Sequence, residues 1–150
     1  MKLSNLIEED LMSFELSSDG KDNVIGELVD LAAQSKLVRD RDLLLEEVLK
    51  REKLVTTGVG HGVAFPHAKT RAMKGIVIAF GRSTDGVSFA AMDHKPVRLF
   101  FLIAAPEDTI GAHLNVMARL SFLMKSQENR DRLLAAKNAG EVMEVLDSVD

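Results

Sequence analysis

Thr56-Thr57-Gly58-Val59-Gly60-His61-Gly62-Val63-Ala64-Phe65-Pro66-His67 is the stretch on which the reading of this chain depends. Glycines at every second position from 58 to 62 permit tight turns, and a short apolar strand follows them. Proline fixes its own backbone angle and biases the residue before it toward extended geometry. Pro66 is therefore expected to stop the strand, with His67 just beyond it on a stiff base.

Upstream, Val24, Ile25, Leu28, Val29 and Ala32 recur at helical spacing, which predicts an amphipathic helix from Asp22 to about Lys36. A second helix is expected after Asp40, an N-cap residue type. Its buried stripe is Leu44, Leu45, Val48 and Leu49, and Lys50, Arg51 and Lys53 gather where the dipole favours cations. Downstream, residues 75–80 and 97–105 are nearly continuous apolar runs, as in strands covered on both faces. Thr84-Asp85-Gly86 and Asp93-His94-Lys95-Pro96 are expected to form turns between them. After Pro106 a helix is expected with Leu114, Met117, Leu120, Ser121 and Met124 on its core face. Ser126 is expected to cap a further helix, and Asn138 with Glu141 a last one. The sum is one α/β (α+β) domain over residues 1–150: a central mixed, mostly parallel sheet of about four or five strands, with helices on both faces.

Composition removes several classes of function. A formal net charge of −4, with neither Trp nor Tyr, offers no broad attraction for nucleic acid and no stacking platform. No cysteine is present, which excludes disulfides and thiolate chemistry and fits a reducing compartment. The N-terminus turns acidic at Glu8-Glu9-Asp10 before a signal-peptide core develops, and the longest apolar run is too short to span a bilayer. A cytoplasmic protein without membrane insertion is expected.

The glycine cluster is neither a dinucleotide fingerprint nor a P-loop, and it leads into a strand rather than a helix. It reads as a tight loop, with amides that can approach a small anion as the alternative. His61, His67, His94 and His113 are the imidazoles available, and no spacing among them suits a metal. Neither a metal nor another cofactor is expected. Among the four, His67 stands out through its rigid approach. A neutral ring near neutral pH leaves one nitrogen free as a nucleophile.

Residues 44–69, with Arg51, Thr56-Thr57-Gly58-Val59-Gly60 and Gly62-Val63-Ala64-Phe65-Pro66-His67-Ala68, resemble the mannitol/fructose-type IIA family of the phosphotransferase system, which includes a nitrogen-regulatory subgroup. The similarity continues through Asp93-His94-Lys95-Pro96-Val97, Leu102-Ile103-Ala104-Ala105-Pro106 and His113-Leu114. Phe65, where the family often has Ile, and His94, where a small turn residue is common, are departures that remove no needed group. The resemblance implies a phosphotransferase component in which His67 accepts a phosphoryl group, as a tele-phosphohistidine, from the histidine phosphocarrier protein. It also implies that Arg51 and His113 lie beside His67. Arg51 offers a planar fork for phosphoryl oxygens, although a helix C-terminal cation is its plainer role. His113 is placed to donate a hydrogen bond, its plainer role being a helix N-terminal residue. Thr57 is expected to support phosphoryl binding through its hydroxyl or amide. His61 and His94 read as loop residues, and Lys69, Arg71 and Lys74 as a solvated turn or docking rim. Two functions follow: a nitrogen-type regulator, toward which a chain without a fused IIB domain inclines, and a sugar-transport relay to a cysteine on a separate IIB protein.

Overall fold

The computed structural model describes residues 2–148, so Met1, Val149 and Asp150 of the expected 1–150 domain lie outside it. Helix α1 (Lys21–Ala32) buries Val24, Ile25, Leu28, Val29 and Ala32, the stripe its spacing predicts. Helix α2 (Arg41–Glu52) begins where the Asp40 carboxylate accepts from the Leu43 N–H at 3.1 Å, satisfying a donor that the first turn leaves unpaired. Its Leu44 and Val48 are fully buried.

Six strands form one mixed sheet: β1 (Met12–Ser13), β2 (Gly58–Gly60), β3 (Val63–Ala64), β4 (His67–Lys69), β5 (Val77–Val87) and β6 (Val97–Ala105). The order is β1-β5-β6-β3-β2, with β4 also pairing β6. β1/β5, β3/β6 and β4/β6 are parallel, while β2/β3 and the long central β5/β6 ladder are antiparallel.

Pro66 does not end the strand. Val63 pairs with Leu99 and His67 with Ile103 in one unbroken register, so β3 and β4 are two pieces of the same strand along β6. Proline lacks only the donor, and its carbonyl still accepts from the Ile103 N–H at 3.0 Å. His67 consequently opens the second piece, β4, instead of lying beyond the strand. Thr84-Asp85-Gly86 is also no turn: it lies within β5 as a bulge, where the register against β6 shifts between Arg82 and Val87 and Gly86 takes φ +84°.

Gly81 and Arg82 show how the layers are arranged. A side chain at Gly81 would strike Leu28 of α1, whereas the next residue, Arg82, donates to the Leu133 carbonyl of α4 (Gln127–Ala135) at 2.9 Å. Successive strand residues point to opposite faces, so α1 and α4 cover opposite sides of the sheet. α4 packs with α3 (Ala112–Met124) and α5 (Ala139–Asp147). Ser126 and Asn138 cap α4 and α5 as expected, accepting from Asn129 and Glu141. The core face of α3 is rotated from the expected one: Val116, Leu120, Leu123 and Met124 are buried, whereas Leu114 is 61% exposed. In the core, the Phe65 ring stacks on Phe101 at 6.0 Å and Phe101 meets Phe80 at 5.3 Å. Burying one such ring contributes roughly 1.5–3 kcal/mol, enough to anchor the segment that carries His67. Among the described residues no helix is long and apolar enough to cross a membrane.

Candidate functional site

An open cleft of about 330 Å³ lies at the β4 edge, lined by Glu47, Lys50, Arg51, Leu54, His67, Ala68, Lys69 and His113. Its residues follow from two periodicities. Positions 47, 50, 51 and 54 are spaced as one helical face, contributed by the end of α2 and the turn that follows it. Positions 67 and 69 share one face of β4. The first turn of α3 supplies His113, after a Gly111 N-cap in the left-handed conformation.

His67 is half-buried, and its Nδ1 lies 2.9 Å from the Phe65 carbonyl oxygen. A carbonyl only accepts, so Nδ1 carries the ring proton and Nε2 is left with its lone pair. Burial pushes the His67 pKa below 6.5, and the nearby Arg51 charge pushes the same way; the Phe65 bond and the Glu52 charge oppose them. The ring is thus kept neutral and in one tautomer.

His113 is likewise held below 6.5, by burial first, then by the charge of Lys69 and, once it is protonated, that of His67. Its Nδ1 is buried with no hydrogen-bond partner. A bare lone pair is a cheaper orphan than an N–H, so the proton belongs on Nε2. Arg51 donates from Nη1 to the Val55 carbonyl at 3.0 Å, which steadies the guanidinium and leaves it other donors. With Lys50, Lys69 and the N-terminus of α3, it makes the cleft a place that favours anions, against the single carboxylate of Glu47.

The structure brings His67, Arg51 and His113 into one cleft and leaves Thr57 out of it. Thr57 is 5% exposed, and both donors expected to face a phosphoryl group are committed to Glu52: its N–H at 2.7 Å and its hydroxyl at 2.5 Å. Any support from Thr57 is therefore indirect. Lys69, expected in a solvated turn or on a docking rim, is in no turn but lines the cleft from β4. Lys50 was read from the sequence only as a helix C-terminal cation, and Glu47, Glu52 and Leu54 were not singled out, although the 47-50-51-54 spacing would have grouped the cleft-lining ones with Arg51. His61 and His94 sit in turns with left-handed backbones, φ +58° and +60°, away from the cleft.

The family model for the phosphoenolpyruvate-dependent sugar phosphotransferase system, EIIA 2, matches residues 5–149. The fructose-specific EIIA component of Haloferax volcanii is 39% identical over 147 residues, covering 98% of this chain and 96% of that protein. The fructose-specific EIIABC component of Bacillus subtilis (strain 168) is 37% identical over the full 150 residues, of which this chain spans only 24% of the longer protein. Among solved structures, nitrogen regulatory protein IIA-Ntr from Neisseria meningitidis superposes with a TM-score of 0.88 at 30% identity, covering 96% of this chain and 98% of that one. The ordered motifs around His67, the cleft that gathers them and a match along nearly the whole length agree: this chain belongs to the EIIA 2 family of the phosphoenolpyruvate-dependent sugar phosphotransferase system.

Proposed function

We propose that this chain is a cytoplasmic phosphocarrier that takes a phosphoryl group onto Nε2 of His67 from a phosphorylated histidine phosphocarrier protein. The observation that carries the reading is the Nδ1 to Phe65 carbonyl bond of 2.9 Å, which leaves Nε2 as the nucleophilic nitrogen of a ring lining a cationic cleft. In the step, the Nε2 lone pair bonds to phosphorus as the donor's P–N bond breaks, and that electron pair returns to the donor ring. The Nδ1 proton stays in place, and its bond to Phe65 eases the positive charge the ring acquires. Phosphoryl transfer of this kind asks the protein mainly for alignment and for charge on the equatorial oxygens. Arg51 supplies the fork and His113 the neutral Nε2–H donor.

Exposed apolar side chains next to these residues, Leu54 and Val55 beside Arg51 and Ile110 and Leu114 beside His113, support a protein rather than a free sugar as the docking partner. For the onward step, the fructose-system relatives support relay to a cysteine of a IIB protein. Likeness in shape to the IIA-Ntr structure supports the second reading, a regulator switched by the state of His67.

The test is incubation with phosphoenolpyruvate and the purified upstream phosphocarrier proteins, followed by mass spectrometry. One acid-labile, alkali-stable phosphate on His67 is expected; label on Ser, Thr or another His would refute the assignment. Pull-downs with phosphorylated and unphosphorylated protein then separate the two roles. Recovery of only carrier and IIB proteins supports relay, and partners selective for one state support regulation.

A further inference from the structure

Glu52 lies next to Arg51 in sequence but is turned into the core, with its side chain 4% exposed. A buried carboxylate is costly unless its oxygens are satisfied. Here three donors meet it: the Thr57 N–H, the Thr57 hydroxyl, and the ammonium of Lys21 at 2.9 Å. Lys21 opens α1 and also lies 4.8 Å from the centroid of the Phe89 ring. From Thr57 the connection continues, since the Phe65 N–H donates to the Thr57 carbonyl at 3.0 Å. The Phe65 carbonyl then receives the His67 Nδ1–H. An unbroken set of hydrogen bonds thus runs from Lys21 through Glu52, Thr57 and Phe65 to the imidazole.

We infer that Glu52, fixed by Lys21, is a positioning residue for phosphoryl acceptance: by clamping Thr57 it places the Phe65 carbonyl that holds His67 in the Nδ1–H tautomer. Arg51 and Glu52 together pin the segment after α2 at two points, Val55 and Thr57, one facing the cleft and one the core. The Thr57 clamp matters because the Phe65 carbonyl precedes a proline, whose peptide nitrogen has no hydrogen to bond elsewhere and anchor that unit. The Glu52 charge also favours protonation of His67, partly offsetting Arg51 and burial.

The inference rests on His67 being the acceptor, but its main readout does not require phosphorylation. The test uses the whole chain, labelled with 15N-histidine, as wild type, Glu52→Gln and Thr57→Val. Long-range 1H–15N spectra report the His67 tautomer, and single-turnover transfer from phosphorylated carrier reports the rate. Wild type should show the Nδ1–H form alone. In Glu52→Gln the Nε2–H form should appear and acceptance should slow, up to about a hundredfold for a misplaced ring. Thr57→Val, which removes one of the three donors and preserves shape, should change both readouts in the same direction by less. It carries the test if Glu52→Gln fails to fold. An unchanged tautomer in the folded variants, even with a lowered melting temperature, overturns the inference. Failure of wild type to accept phosphate on His67 would instead refute the phosphocarrier reading and leave the tautomer result standing.

Discussion

The cleft and the outer turns hold two histidines each, and hold them differently. His67 is constrained at the ring, its Nδ1 bonded to the Phe65 carbonyl; the His113 Nδ1 is buried without a partner, and both pKa values are pressed below 6.5 by burial. His61 and His94 are constrained at the backbone. Their left-handed conformations close turns, and their N–H groups donate to the Asp93 carboxylate at 3.2 Å and to the Ala91 carbonyl at 2.9 Å. A ring that is oriented, neutral and beside cations suits the phosphoryl transfer proposed for it. A ring that merely rides on a turn is not, although all four share one chemistry.

Substitutions and pH titrations put pressure on that contrast. The largest effect is expected from His67→Ala, which should abolish phosphoryl acceptance in a gel-shift or radiolabel assay; residual labelling at wild-type rate would erase the distinction at once. Arg51→Lys keeps the charge and loses the planar fork, and His113→Ala removes one donor. Each should slow single-turnover transfer, His113→Ala by roughly ten- to a thousandfold, with circular dichroism unchanged.

The strand that leads into the His61 turn should instead respond in stability. A Cβ added at Gly58 would come within 2.8 Å of the Ala91 Cβ and 2.9 Å of its Cα, so Gly58→Ala should cost about 1–3 kcal/mol in urea unfolding. An unchanged midpoint would show that β2 and the loop after β5 are not tightly packed against each other.

A smaller effect concerns pH. Because the folded protein holds His67 and His113 below 6.5, the unfolded chain binds more protons as pH falls past that value. The contribution of these groups to stability therefore rises with pH from their folded pKa values up to about 6.5 and levels off above it. His67→Asn should flatten part of that slope in urea titrations across the window. In the same range, the acid limb of acceptance by wild type should lie below that of an ordinary histidine. The smallest changes are expected for His61→Gln and His94→Gln, whose transfer rates should match wild type. A collapse in either would move the site.

Much of this was readable along the chain. The caps at Asp40, Ser126 and Asn138, the apolar stripes of α1 and α2, and the run that becomes β6 are local matters, set by hydrogen-bonding side chains and periodicity within a few residues. The motif blocks from Arg51 through His113 gave the family for a similar reason, as an ordered pattern of residue types. The continuation of the strand past Pro66, the bulge at residues 84–86 and the rotated face of α3 were not legible, since each depends on a partner far away in sequence.

The amino-acid order by itself determined which groups are available to the proposed chemistry: His67 on its proline, the fork of Arg51, His113 after the last strand, and no thiol to compete. Only the tertiary structure decided what each of them faces. Thr57 turned its donors inward because a buried Glu52 carboxylate needed them, and Lys69 entered the cleft because β4 stays in register with β6. Hydrogen-bond valence and desolvation act on neighbours in space, and those neighbours exist only once distant segments have paired.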